Sequence, residues 1–354
     1  GETGTPGDCW LERWRTTGIT QGVRALELLR DGVQQALEVL GTGFLQHPAN
    51  AALREGLAPG GPIRLEDLHV ALLRTVYRLL FWAVAEDREA LLAPDTTTEA
   101  AARYTDHFSS ARLRALAVRR HGSAHDDLWQ AVGFVLTALG RIGGEPRLGL
   151  PGLGGLFAGH HGDVLTGARL GNQPLLAAVR HLAVVHPKGQ PRQFVDFRHL
   201  GAEELGSVYE SLLELVPRHD PTRQVFTLET LAGNDRKTTG SYYTPTALVD
   251  LVLDTALDPV LDDAEKQPDA EQALLSLTCC DPAIGSGHFM VAAARRIANR
   301  LAAVRSGELD PTPGEVQNAL HDVVDRCIYG VDINPMAADL AKVSLWLEAI
   351  APGR

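Results

Sequence analysis

Between Gly18 and Trp129 the apolar residues recur at helical spacing. In VRALELLRDGVQQALEVLG the residues Val23, Leu26, Leu29, Val33, Ala36, Leu37 and Leu40 form one stripe, and in LEDLHVALLRTVYRLLFWAVAEDREALL the residues Leu68, Leu72, Val76, Leu79 and Leu80 form another. Such stripes predict helices that build a core. From 140 to 193 the pattern dissolves into GRIGGEPRLGLPGLGGLFAGHHGD and a mixed stretch ending VVHPKGQPRQF, whose Gly and Pro content predicts an irregular connection with one or two short helices. A helical pattern returns in GAEELGSVYESLLEL, and Pro217 is expected to close it.

The periodicity changes after VFTLETL. A polar stretch, AGNDRKTTGSYYTP, leads into a helical TALVDLVLDTALDPVL; then ALLSLTCC reads as a short buried strand and HFMVAAARRIANRLAAV as a helix. SGELDPTPGE reads as a loop, VQNALHDVVD as a helix, RCIYGVD as a second strand and PMAADLAKVSLWLEAI as a final helix. That order is the opening of an open α/β sheet with parallel strands. The fold class expected is α/β, with a mainly α-helical N-terminal region over 1–228 and the first part of such a sheet over 229–354.

Charge and cysteines narrow the picture. The formal net charge is −11, with 26 acids and 23 bases in residues 1–230 but 18 acids and 10 bases in 231–354. A groove for nucleic acid is usually basic, so the main DNA-contacting surface is expected outside the last third. Cys9, Cys279, Cys280 and Cys327 show neither CxxC spacing nor a His at zinc-ligand distance, and are read as reduced, mostly buried thiols with no metal. No apolar run approaches the roughly 18 residues that cross a bilayer, and GETGTPGDCW has no signal-peptide character, so a cytoplasmic protein with no membrane partner is expected. The first residue is not Met and the last helical pattern runs almost to Arg354, which suggests a piece of something longer.

Three short constellations carry candidate chemistry. Asp281 ends the first strand, and Gly285-Ser286-Gly287 turns the chain into a helix beginning near His288. In open parallel sheets ligands bind at this position, where glycine admits close backbone approach and the helix start offers free N–H groups. A plain structural turn explains the same residues. Met290 stands where a dinucleotide motif has its third small residue, and the Lys-Ser/Thr of a phosphate loop is missing. Asp332 ends the second strand, where an acid can accept from both ribose hydroxyls of a nucleoside. Asn334-Pro335 equally makes a simple helix start. More than twice the usual 20 or so residues separate Asp332 from the turn, which disfavours a nicotinamide cofactor. Upstream, RKTTGSYYTP ends in Thr244, a candidate cap, and Pro245, a candidate first helical residue.

Taken in order, RKTTGSYYTPTALV, CDPAIGSGHFMVAAARRI and YGVDINPMAADLAKVSLWL resemble the N-terminal half of the catalytic domain in adenine-N6 DNA methyltransferases of the gamma arrangement. The resemblance is greatest to type IIG restriction-modification methylases and to the adenine methylases of the BREX and DISARM phage-defence systems. It extends upstream through LRDGVQQALEVLGTGFLQHPANAALR, LLRTVYRLLFWAVAEDREALL and LGAEELGSVYESLLEL. Ile284 departs from it, standing where the family more often has Cys.

The resemblance implies a Rossmann-like sheet and S-adenosyl-L-methionine as cofactor. Tyr243, Thr244 and Pro245 match the segment packed on its methionine end, and Asp281, Ala283, Gly285, Ser286 and Gly287 the turn beneath methionine and ribose. Asp281 is expected at the methionine ammonium, Asp332 at the ribose hydroxyls and Ile333 on the adenine face. Phe289 is expected beneath the turn, and His288 to be structural. The partners implied are double-stranded DNA, for the full-length protein, and other defence-system subunits.

In the family an Asn-Pro-Pro-aromatic tetrapeptide takes the N6 protons of a flipped adenine and stacks on the base. This sequence has none; its Asn-Pro is Asn334-Pro335, followed by Met336. No catalytic residue is therefore assigned, the chain alone is expected to be inactive, and no nuclease arrangement is read in the helical region. The alternative is a non-catalytic cofactor-binding or assembly module derived from such a methylase. A nicotinamide oxidoreductase and an RNA or protein methyltransferase are further readings of the cofactor half.

Overall fold

The computed structural model describes residues 10–159, 162–187, 191–212, 215–230, 244 and 246–349. The chain begins with α1 (Trp10–Gln46), α2 (Ala51–Gly56), α3 (Leu65–Asp87), α4 (Thr98–His107), α5 (Ser110–Arg119), α6 (Asp127–Gly140) and α7 (Asn172–Ala183). A small hairpin, β1 (Val184–Val185) and β2 (Gln193–Phe194), leads to α8 (Ala202–Leu212) and a longer hairpin, β3 (Leu215–Asp220) and β4 (Val225–Thr230). Then come α9 (Thr246–Val252), a π-helical turn at Leu253–Leu257, α10 (Asp258–Glu265), α11 (Ala270–Leu275), β5 (Cys279–Asp281), α12 (His288–Ser306), α13 (Pro313–Arg326), β6 (Ile328–Gly330) and α14 (Pro335–Ala349).

The predicted stripes face a core from Leu29 onward, whereas the side chains of Val23 and Leu26 lie outside the described residues. Leu37, Leu40 and Phe44 of α1 and Leu72, Val76, Tyr77 and Trp82 of α3 are buried together with Leu175, Val179 and Leu182 of α7. The 140–193 stretch is largely irregular, as expected, but α7 within it is a 12-residue helix that contributes fully to the core. Short helices are fixed by their ends. Glu86 reaches from α3 to the start of α5, accepting from the Ser110 amide at 2.8 Å, the Ser110 hydroxyl at 2.9 Å and the Ala111 amide at 2.7 Å. These are orphan donors of the first turn, and a carboxylate there also complements the helix dipole.

Pro217 corrects one expectation. It does not close a helix but lies inside β3, paired with Leu228. The Leu228 amide donates to Glu38 Oε1 of α1 at 3.0 Å, and the Phe226 amide to Thr42 Oγ1 at 3.1 Å. Those amides point away from β3, so Pro217 sits in a non-hydrogen-bonded pair where its missing N–H removes no ladder bond.

By length and apolarity α3 is sufficient to cross a bilayer, which an expectation based on unbroken apolar runs missed. In this fold 89% of that apolar window is buried inside the protein. Its His69 is buried, and desolvation lowers its pKa to about 4, with Glu66 opposing weakly. A histidine depressed from 6.5 stabilises the fold as the neutral ring above pH 6.5, and that contribution is lost as pH falls toward 4. We expect a loss on the order of 3 kcal/mol over that window. Urea unfolding at pH 7 and pH 4 should show it, and His69→Gln should flatten that part of the profile; an unchanged profile would contradict the assignment.

The second core holds Val249, Leu253, Leu261, Leu274, Ile297, Leu301, Leu320 and Val323. Along its outside, arginines of α12 are laced to acids of neighbouring helices: Arg296 to Asp254 and Asp258, Arg300 to Asp262 and Glu265, Arg305 to Glu271 and Asp322. α14 is shared. Its Met336, Leu340, Val343 and Leu347 belong to the first core and Ala341 to the second. Trp346 packs on Phe81 of α3 with ring centres 4.7 Å apart, and Arg88 donates to the Leu347 carbonyl at 2.9 Å.

Candidate cofactor site

β5 and β6 pair in parallel, with Cys279 opposite Ile328, Cys280 opposite Tyr329 and Asp281 opposite Gly330. This is the parallel pair expected, shorter than the sequence pattern suggested. Ala273–Leu275, read as the start of a strand, instead end helix α11. Among the described residues the sheets have two strands each, so the wider Rossmann-like sheet is not seen. Cys327 is buried and Cys279 half-buried, but Cys280 is exposed, contrary to the expectation of mostly buried thiols. Burial, then the nearby Asp281 carboxylate, raises the Cys279 thiol pKa, so it is not an activated nucleophile.

The strand ends are held beyond the ladder. The Val331 amide donates to the Asp281 carbonyl at 2.8 Å, and the Ile284 amide to the Val331 carbonyl at 2.9 Å. Ile284 is buried against Gly330, where an added Cβ would lie 2.1 Å from Ile284 Cδ1. The larger side chain at 284 thus requires glycine opposite it.

The turn is closed by its own acid and by the second strand's. Asp281 Oδ1 accepts from the Ala283 amide at 2.9 Å, and Gly287 N–H donates to the Ile284 carbonyl at 2.9 Å. Gly285 and Gly287 have φ of +55° and +89°, the left-handed region that favours glycine. Asp332 Oδ2 accepts from the Gly285 amide at 2.9 Å and its Oδ1 from the Asn334 amide at 2.7 Å. One half-buried carboxylate therefore fastens the glycine turn to the start of α14. Asp281, Ala283, Gly285, Ser286, Gly287, Asp332 and Ile333 all meet at this edge. Ile333 is fully exposed beside Asp332, and no atom lies within 4 Å of a Cβ built on Gly285.

Ser286 differs from its neighbours. It is buried, and its hydroxyl donates to Glu210 Oε1 of α8 at 2.9 Å. A Cβ on Gly206 would come 2.7 Å from that hydroxyl, so the glycine in α8 is what lets helix and turn touch. The Asn334 amide group donates to the Tyr209 hydroxyl at 3.1 Å, and Tyr209 stands edge-on to Tyr77 of α3. Burial raises the Glu210 pKa, opposed by the Ser286 hydrogen bond and by His288, and pushes Tyr209 up to about 12. Glu210 and Tyr209 were not singled out in the sequence. The available signal was Gly206 and Glu210 sharing one flank of α8 at i, i+4.

Thr244 is half-buried just before α9, while Tyr243 and Pro245 lie outside the described residues. A groove of about 390 Å³ runs between α9 and α12, lined by Thr246, Asp250, His288, Arg295 and Arg296 among others. It flanks the turn and does not include Asp281, Gly285 or Asp332. Phe289 packs partly buried against the second core, as expected. No group of three or more His, Cys, Asp or Glu suited to a metal is found among the described residues.

Residues 225–353 match the family model of N-6 DNA methylases. A Methanocaldococcus jannaschii protein named as a type II restriction enzyme and methyltransferase is 25% identical over 186 residues, covering 43% of this chain and 14% of its own length. The adenine-specific methyltransferase PglX of Streptomyces coelicolor is 27% identical over 169 residues, covering 48% of this chain and 11% of its own. The chain thus spans about an eighth of the length of these relatives. Among solved structures, the type IIL restriction-modification enzyme MmeI in complex with DNA aligns at a TM-score of 0.45 and 20% identity, over 88% of this chain and 35% of that one. The resemblance to N-6 DNA methylases is therefore found in the segment that contains the glycine turn.

Proposed function

We propose that residues 229–354 hold S-adenosyl-L-methionine across the carboxyl ends of β5 and β6, and that the chain is the cofactor-binding portion of a site-specific DNA adenine-N6 methyltransferase of restriction-modification or phage defence. Residues 1–228 form its helical support. The observation that supports this best is Asp332, a carboxylate at the end of a parallel strand that hydrogen-bonds to the glycine turn of the neighbouring strand. That arrangement offers what an adenosine-containing ligand needs: an acid for vicinal hydroxyls, an apolar residue beside it for a base, and open space above a glycine.

The residues fit the cofactor in type. Asp332 would accept from the ribose hydroxyls and Ile333 would cover the adenine face. Asp281 would meet the methionine ammonium; Tyr243, Thr244 and Pro245 would lie on the methionine end. Ala283, Gly285 and Gly287 would bring backbone close to the ligand, while Ser286, through Glu210, holds the turn from behind. Bound there, the cofactor supplies an electrophilic sulfonium methyl group. Methyl transfer, duplex DNA as substrate and any other defence subunits belong to the whole protein, working in the cytoplasm.

Calorimetric titration of the chain with S-adenosylmethionine, S-adenosylhomocysteine and NADH tests this reading. Saturable binding of the first two and none of the third is expected. NADH binding in competition with them, or no binding of either sulfur ligand by the folded chain, would overturn it.

A further inference from the structure

The acids of this protein are unevenly placed. Against a net charge of −11, residues 107–125 and 164–195 contain no Asp or Glu, yet hold seven Arg and one Lys. These two stretches contain α5 and α7, which pack against each other. Arg180 of α7 donates from Nε to the carbonyl of Ala117 at 2.6 Å and from Nη2 to that of Arg120 at 2.8 Å. Those bonds set its guanidinium at the C-terminal end of α5, beside the exposed Arg119 and Arg120.

The cationic surface continues past Arg180. α7 runs directly into β1, so exposed His186 stands three residues beyond the end of that helix. The register of β1 and β2, with Val185 opposite Gln193, carries exposed Arg192 alongside exposed His186. Arg114 and Arg169 of the same stretches are paired with Asp87 and Asp126. Arg119, Arg120 and Arg192 make no ion pair among the described residues, so the internal packing does not account for them.

We propose that this face, made by the ends of α5 and α7 and the β1–β2 hairpin, seats the phosphate backbone of a DNA duplex beside the methylation target. The proposal rests on the DNA reading above and adds where the helical region touches the substrate. A polyanion is repelled by residues 231–354, with 18 acids to 10 bases, and is attracted to two acid-free stretches whose exposed Arg119, Arg120 and Arg192 have no ion pair among the described residues. Arginine suits phosphate through its paired N–H donors. Nothing in such contacts reads base sequence; they fix the position of the duplex.

The test uses the 354-residue chain, a labelled duplex of arbitrary sequence and fluorescence anisotropy over a series of salt concentrations. Replacing Arg119, Arg120 and Arg192 together by Ala should reduce the slope of log affinity against log salt by about three, if each meets one phosphate. Binding at low salt should fall at least tenfold. The corresponding triple Lys variant should retain the slope, and Arg64→Ala, an exposed arginine paired with Asp67, should leave it unchanged. An unaltered slope in the folded Ala triple would overturn the proposal, as would wild-type chain that binds phosphatidylserine vesicles and ignores the duplex. Titration of the same variants with S-adenosylmethionine separates the two readings. Cofactor binding with an unaltered slope refutes only this face, whereas slope loss in a chain that never binds cofactor refutes only the cofactor assignment.

Discussion

Asp332→Ala should weaken S-adenosylmethionine binding by roughly 3 kcal/mol or more, about a hundredfold or greater. Loss of the ribose bonds alone would account for about 1.5–3 kcal/mol, as expected for hydrogen bonds to a charged acceptor. The same carboxylate also holds the amides of Gly285 and Asn334, so its removal frees the turn that the ligand must meet. The ligand would then have to order that turn as it binds, which lowers affinity further. Asp332→Asn should be intermediate, because an amide can accept at its oxygen but presents an N–H to the other donor. Calorimetry on both variants, with urea unfolding to follow the fold, separates lost contact from lost order. Affinity within about threefold of wild type in Asp332→Ala would remove Asp332 from the site.

The second large effect is on stability. Gly287→Val should destabilise the chain by roughly 3–5 kcal/mol, summing a left-handed backbone that a β-branched residue avoids with overpacking against α14. At this position φ is +89° and an added Cβ would lie 3.1 Å from the Ala341 Cα, a backbone atom that cannot rotate away. Gly285→Ala is the control. Its φ is +55° but nothing lies within 4 Å, so only the backbone term of about 1 kcal/mol applies. Equal urea midpoints for the two variants would show that the approach of α12 to α14 through Gly287 does not constrain the fold.

Much of the candidate site could be read in advance because its signals are local. A strand ending in an acid, a glycine turn and a helix start occupy adjacent positions at Asp281–His288, and the same holds for Asp332 and Pro335. What escaped depends on distant partners. β5 has only three residues because only β6 pairs with it among the described residues, and an apolar run alone does not tell where pairing stops. α7 was obscured by the glycines and prolines before and after it, although its own apolar spacing is regular. Pro217 was read by its usual effect on helices, which a strand facing α1 on one side made irrelevant. Glu210 matters through Ser286, 76 positions away, and the glycine one turn before it marks a close approach without naming the partner.

The shared helix α14 constrains how such proteins can be recombined. A chimera joined near residue 228 would take Phe81 and Arg88 from one parent and Trp346 and Leu347 from the other, and the helical region would inherit a lid shaped for a different body. Exchange of segments between relatives should therefore keep the fold where the helical region and α14 travel together as one cassette.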